Sequence, residues 1–410
     1  MRDRARAFAF GAGYASLVAV AALLPLPAQA LWDDKITLFA EEKVTRDDNV
    51  FRLSKNVDPA TAIGSTSAGD VYRTTSLGAV LDAPVSRQRF QAGYTWNATH
   101  FNRFTELDFD GHDAKATWLW QIGNDLSGQL GYTENLALAP FQYTQRPTPD
   151  PLKTRVAFLN EGYLITPRWR LDAGVAQFEQ TNGDPVLQPN DVTITSTDFG
   201  LNYVTPANTS IGLTERIEEG HYPNRTFAPP QQPFDDSYRQ FTRGIVADWT
   251  LSGASHLSAR ASHLTRRYPN TPQSDFDGNT AVLEFDWKVT GKLSLTGIAR
   301  RDISPFQAIA SSAVLVKGGI LRPTLSLTQK VELSAVLDYA TWYFLGDPGL
   351  VAGGVQGRID QVRLASATLS YKPLEKLTLQ LTGQRESRTS NVPNADYLAN
   401  VVSFSVRIGF

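Results

Sequence analysis

The chain is 410 residues long, with a formal charge of −2 at pH 7 and no cysteine. Without Cys there can be no disulfide framework, no Cys-ligated zinc site and no attachment through a lipobox cysteine, and the near-neutral charge offers no basic footprint for nucleic acid. No stretch beyond the first thirty residues approaches the roughly 18 consecutive apolar residues of a membrane helix, so any crossing of a membrane must be made by strands.

At the start, Arg2, Arg4 and Arg6 precede the apolar run Ala15 to Leu24, and Ala28-Gln29-Ala30 fits a small-x-small cleavage site. This predicts a signal peptide over 1–30 and a mature chain from Leu31, whose formal charge falls to −4 once three Arg and one Asp have left. No linker and no shift in composition interrupts the chain from Lys35 to Phe410, so 31–410 is read as one domain. Asp47-Asp48-Asn49 then opens a long polar segment. Clustered oxygens suit a calcium ion, but the spaced acidic ligands and glycine of a calcium loop are missing, which favours a solvated turn.

From Phe90 the side chains alternate. Phe90, Ala92, Tyr94, Trp96 and Ala98 share one face, against Gln91, Gly93, Thr95, Asn97 and Thr99 on the other. The pattern returns at Ala281, Leu283, Phe285, Trp287 and Val289, at Leu377, Leu379 and Leu381, and at Val402, Phe404, Val406, Ile408 and Phe410. Segments 154–166 and 312–322 do not alternate cleanly, and their facing is left unassigned.

Tight turns are expected at Asp82-Ala83-Pro84, Gly123-Asn124-Asp125, Thr166-Pro167-Arg168, Thr205 to Asn208, Ser252-Gly253-Ala254, Thr290-Gly291-Lys292, Leu327 to Lys330 and Lys372 to Glu375. Longer polar segments lie between them: 47–70, 103–108, 139–153, 180–191, 219–237, 266–277, 302–309, 345–358 and 388–396. Together they predict an all-β, antiparallel up-and-down transmembrane barrel of about 18 strands, with short periplasmic turns and long extracellular loops. A soluble sandwich or propeller would also alternate, but the export signal and the even spacing favour a membrane barrel. Outer-membrane barrels resemble this chain in ending on an aromatic strand that the barrel-assembly machinery reads, here Phe404, Val406, Ile408 and Phe410. Trp118, Trp120, Trp169, Trp249, Trp287, Tyr203, Tyr339, Tyr343 and Tyr371 are expected in aromatic girdles facing the outer-membrane lipid.

Strand parity assigns Asp172, Arg216, Glu218, Asp248, Arg260, Glu284, Asp286, Arg300, Asp338, Gln380, Gln384 and Arg407 to the lumen. The signs are mixed. An excess of Arg and Lys for gripping an acidic polymer is absent, and inward charges can simply pair with one another to hold the ring.

Three stretches carry a family likeness: Arg46 to Leu53, Pro84 to Phe90, and Asn102-Arg103-Phe104-Thr105-Glu106-Leu107-Asp108-Phe109-Asp110-Gly111 running on to Gly128. In these the chain resembles the EpsL-like barrels of exosortase/PEP-CTERM-associated exopolysaccharide operons. The resemblance implies a conduit for a secreted polysaccharide, served by a periplasmic polysaccharide-export protein, and supplies no catalytic residues.

Little here suggests chemistry. The five histidines, His100, His112, His221, His256 and His263, show no metal-ligand spacing, and no phosphate loop is present. No cofactor or metal is expected. A barrel enzyme could bring His263 to Asp277 or His221 to Asp235 in the outer loops, although loop histidines are commonly solvated. A general diffusion porin is the other alternative, and it would form trimers and fold one loop inward to narrow the pore.

Overall fold

The computed structural model describes residues 35–207, 209–225, 235–303, 313–346 and 357–410; the leader expected over 1–30 lies outside them. The strands are β1 (Ile36–Asp47), β2 (Asp70–Val85), β3 (Gln88–Phe101), β4 (Phe109–Ile122), β5 (Leu126–Leu138), β6 (Pro151–Thr166), β7 (Trp169–Thr181), β8 (Val192–Val204) and β9 (Ser210–His221). The ring continues with β10 (Ser237–Ser252), β11 (Ser255–Arg267), β12 (Phe276–Lys288), β13 (Leu293–Ile303), β14 (Ala313–Ser326), β15 (Val331–Leu345), β16 (Ile359–Leu374), β17 (Leu377–Ser390) and β18 (Tyr397–Gly409). Each pairs antiparallel with its neighbours in the chain, and β1 pairs with both β2 and β18, closing an 18-stranded sheet. Closure leaves no unpaired edge, as hydrocarbon around the sheet requires.

Short turns join the strands at one end and longer segments at the other, as the sequence predicts, with two corrections of position. Asp82-Ala83-Pro84 belongs to β2, and the turn is Ser86–Arg87, with Ser86 at φ 57°. Lys372-Pro373-Leu374 likewise belongs to β16, and the chain reverses at Glu375–Lys376. Proline signals a turn because it cannot donate to a ladder, but it is tolerated at strand ends and irregularities. Pro84 sits at such an end, and Pro373 falls in the register shift between Tyr371 and Leu374.

Register fixes which face each residue takes. Ala40 lies opposite Leu77 and Leu77 opposite Trp96, while Leu369 lies opposite Leu381 and Leu381 opposite Phe404. Leu77, Trp96, Leu369, Leu381 and Phe404 are all exposed, so a continuous apolar stripe runs round the outside toward the turn end. Trp118, Trp120, Trp169, Tyr203, Trp249, Trp287 and Tyr371 stand on this face near the turns, with Trp169 edge-on to Tyr203 at 5.2 Å. Tyr339 and Tyr343 share the face but lie at the middle and the loop end of β15.

The two unassigned segments are now placed. In β6 the odd residues, Tyr163 and Ile165 among them, face out, and Phe158 turns inward over Gly131, where a Cβ would collide with its ring. In β14 the even residues face in, but Val314 and Val316 pack with Ala340 and Phe344 in a buried apolar cluster. Alternation fails there because the inward positions are apolar as well.

Candidate functional site

The face opposite the apolar stripe carries the polar side chains. All twelve residues assigned to the lumen by parity stand on it, and most are held by an inward neighbour. Asp172 meets Arg170 at 2.9 Å, Arg216 meets Asp198 at 2.6 Å, Arg260 meets Asp302 at 2.8 Å and Arg300 meets Asp338 at 3.0 Å. His256 bridges Asp248 at 3.1 Å and Asp286 at 3.9 Å, Arg407 lies 3.8 Å from Glu41, and Glu218 accepts from Gln240. Gln380 and Gln384 line a 300 Å³ cavity with Glu41, Lys43 and Ser405. Among the acids of this set Glu218 and Glu284 have no ion pair among the described residues; Glu284 stands between Ser258 and Ile298. Apart from Arg170–Asp172, which lies within β7, these pairs bind adjacent and next-adjacent strands, and together they leave the lining mixed in sign.

The loop end is not open. Residues 48–69 and 139–150 fold into the ring, the first carrying α1 (Pro59–Ile63) and the second α2 (Phe141–Thr144). A buried cluster of Val50, Phe51, Leu53, Phe104 and Leu107 joins them, with the Phe51 ring edge-on to Phe104 at 4.8 Å and to Phe141 at 4.9 Å. Burial of these rings drives the infolding, since apolar surface gains about 25 cal/mol per Å² on leaving water.

Asp47, Asp48 and Asn49 are consumed in shaping this inner turn. Asp47 binds Arg52 at 2.8 Å, Asp48 accepts from the Asn400 amide and side chain at 2.7 Å, and the Asn49 side chain binds Leu53 and the Leu398 carbonyl. Asp47 and Asn49 are buried and Asp48 is exposed but bonded, so the expectation of a solvated turn is corrected for Asp47 and Asn49 and holds at Asp48.

From this base, residues 139–150 cross the lumen. The Gln145 side chain donates to the Arg52 carbonyl at 2.6 Å, and Arg388 on β17 donates to the Gln142 carbonyl at 2.5 Å. The Tyr143 ring stacks on Trp342 of β15 with centroids 5.9 Å apart. Since β15 stands half-way round the ring from β5 and β6, this contact spans the passage from wall to wall. It also fixes the inside of the barrel independently, because Trp342 and Arg388 share their strands' inward parity with Asp338, Gln380 and Gln384.

A charged girdle surrounds the crossing. Arg52 reaches Glu386 at 3.4 Å as well as Asp47, and Arg388 lies 3.7 Å from Asp360, which Arg358 meets at 2.6 Å. Burial alone would lower the Arg52 guanidinium, but Asp47 and Glu386 raise it above its ordinary value. Burial also raises the Tyr143 phenol, which stays neutral at physiological pH. Arg52 at φ 56° and Gln145 at φ 50° occupy left-handed backbone, a conformation that costs a residue with a Cβ about 1–2 kcal/mol and persists where neighbours hold it. Below the crossing lies a 330 Å³ cavity lined by Asp47, Arg52, Tyr72, Asn97, Asp113 and Glu386.

None of these crossing residues was singled out from sequence. Their signal was Trp342, an aromatic at inward parity on a strand whose inward face also carries Glu332, Ser334 and Asp338. Of the proposed histidine pairs, His263 and Asp277 do meet at 3.3 Å, but on the outer wall, and each is about half exposed. His221 and Asp235 are not paired; the Asp235 carboxylate accepts instead from the Asn270 amide at 2.9 Å and from Thr271.

Residues 257–410 match a sequence-family profile described as "Putative beta-barrel porin 2". No curated protein matches the chain. Among solved structures it is similar to Pseudomonas aeruginosa OccK2 (OpdF), at 10% identity over 92% of this chain and 98% of that one, with a TM-score of 0.48. It is similar also to the P. aeruginosa outer membrane protein OpdK (10%, 92% and 99%, TM-score 0.48) and to a BenF-like porin from Pseudomonas fluorescens Pf-5 (11%, 92% and 98%, TM-score 0.47). A closed sheet with an apolar exterior and a polar interior has one stable setting, and the chain is a porin-like β-barrel of the bacterial outer membrane.

Proposed function

We propose that the chain is a non-enzymatic diffusion porin for small hydrophilic solutes, narrowed by residues 139–150. The observation that carries this is the wall-to-wall contact of Tyr143 with Trp342, latched by Arg388 on Gln142. A ring of 18 strands is wide enough to enclose an aqueous channel. The infolded segment divides that width, and mixed, mutually paired charges line what is left, so passage depends on size more than on sign. The barrel-porin profile over 257–410 supports the same reading. Insertion through recognition of Phe404, Val406, Ile408 and Phe410 by the barrel-assembly machinery belongs to this proposal.

The likeness to EpsL-like barrels implies the other passenger, a polysaccharide chain handed on by a periplasmic export protein. A polymer needs a wide and continuous passage, and the crossing argues against one. Liposome swelling separates the two readings. Vesicles holding the barrel should swell quickly in monosaccharide, slowly in trisaccharide and not at all in long dextrans. No swelling in monosaccharide, together with polymer retained inside cells after deletion of the gene, would reverse the assignment.

A further inference from the structure

Charged side chains on the outer wall sort into two arcs. From β4 to β12 the outward cations stand beside acids: Arg243 lies across from Glu215 at 2.7 Å, Arg239 across from Glu219 at 3.3 Å, and Arg155 between Glu134 at 2.9 Å and Glu179 at 3.6 Å. Where like charges do face one another in this arc, at Arg239 and Arg267, the acids Glu219 and Asp277 flank them.

The arc from β13 through β18 to β2 differs. Its outward charges are Arg46, Arg73, Arg301, Lys317, Arg363 and Arg385, with Glu42 as the one acid among the described residues, and Glu42 accepts from the Thr75 hydroxyl at 2.6 Å. None of the six cations makes an ion pair among the described residues. The other acids of these strands, including Asp302, Asp338, Asp360 and Glu386, face the lumen and are paired there.

The six fall into three pairs on adjacent strands. Arg301 and Lys317 lie directly opposite in the β13–β14 ladder. Arg363 and Arg385 are diagonal neighbours across β16 and β17, as are Arg46 and Arg73 across β1 and β2. Like charges so placed repel, and a sheet carries them at a cost unless an anion sits between them. Each of the six stands in the loop-side half of its strand, on the same outward face as the apolar stripe. Lys317 and Arg363 are steadied over the Tyr343 and Tyr339 rings at 4.6 and 5.6 Å, which leaves their charge free for a further partner.

We infer that these three cation pairs bind the phosphate groups of outer-leaflet lipid, so that one arc of the barrel holds an ordered annulus of phosphorylated lipid and the other does not. Two neighbouring cations suit a phosphate, whose several oxygens accept charge-assisted hydrogen bonds from both. The lipid is the source because the side chains leave the wall on its lipid-facing side.

The test titrates the refolded mature barrel, in uncharged detergent, with bisphosphorylated lipid A and with its dephosphorylated form, read by native mass spectrometry. The barrel should retain the bisphosphorylated lipid and not the dephosphorylated one. R301Q/K317Q/R363Q/R385Q should bind at least about tenfold more weakly, while E215Q/R243Q on the other arc binds as the parent does. Heat-modifiable gel migration reports folding, and R363Q/R385Q replaces the quadruple variant if that fails to fold, with an intermediate loss expected. Equal binding of the dephosphorylated lipid, displacement by inorganic phosphate at matched concentration, or full retention by the variants would overturn the inference. So would a parent that runs as an oligomer which the variants dissociate, since the arc would then face a second copy.

Discussion

Loops on two sides of the ring fold inward at the outer end, with different results. Residues 139–150 leave β5 and β6, cross the lumen and make their contacts on β15 and β17. On the other side, Tyr222, Tyr238 and Tyr268 pack with Val192 over the strands that carry them, with centroids 6.1 and 5.7 Å apart. There Arg225 lies 3.4 Å from the Tyr222 ring and Arg266 4.2 Å from that of Tyr238. Both clusters bury aromatic rings and arginines together, but one closes on its own wall and the other on the wall opposite. A contact along the wall ties off strand ends; a contact across it sets the width of the passage.

The largest effect should come from removing the crossing outright. Replacing 140–149 with a short Gly-Ser turn keeps the β5–β6 ladder and deletes the contacts with Trp342, Arg388 and Arg52. Single-channel conductance should rise several-fold, and trisaccharide should enter vesicles as fast as monosaccharide. An unchanged conductance would sink the contrast at once.

Arg388→Met tests the latch on the far wall. The Arg388 side chain is 2% exposed and serves Asp360, the Ala395 carbonyl and the Gln142 carbonyl together. Its loss leaves buried acceptors without their donor, so unfolding by urea in lipid vesicles should cost about 3 kcal/mol less, and open-channel current should become noisier. Retention of the parent's urea midpoint would remove Arg388 from the structure of the crossing.

On the other side, Tyr238→Ala should cost a comparable 3 kcal/mol or so, because the ring fills the space over Gly220 and joins Tyr222 to Tyr268. Conductance should not move. If it rises as far as in the deletion, the tyrosine cluster also narrows the passage, and the distinction between the two sides fails.

Most of the frame was legible because its cause is local. Period-two alternation at Phe90–Ala98 and Val402–Phe410, with Gly, Asn and Pro at the turns, needs only neighbouring residues to be read. Parity carried the reading inward to Arg300 and Asp338, although it did not show which acid each cation would choose. Pro84 and Pro373 misled by two or three residues, since proline marks the approach to a turn as readily as the turn itself. The crossing was illegible for a different reason. Residues 139–153 read as one more polar loop, and whether a loop bends outward or inward is decided by rings far away in the chain, Phe51, Phe104 and Trp342, whose meeting no window of sequence contains.

Trp342 offers the finest test of that last point. Its neighbours on the inward face of β15 run from Asp338 through Ala340 to Phe344, and it packs against the buried Val314, Val316 and Phe344 group while offering one face to Tyr143. Trp342→Leu keeps an apolar side chain on that group and removes only the stacking surface. A stacked pair of this kind contributes about 1 kcal/mol beyond its area, so the crossing should detach for a larger fraction of the time without the barrel losing its fold. Current recordings should then show brief excursions to the conductance of the 140–149 deletion, with a population raised about fivefold over the parent. Tyr143→Leu should produce the same excursions, and the double variant should add little, since either change alone removes the pair. Additive effects would mean that each ring holds the segment through some other neighbour, and the wall-to-wall stack would not be what narrows the pore.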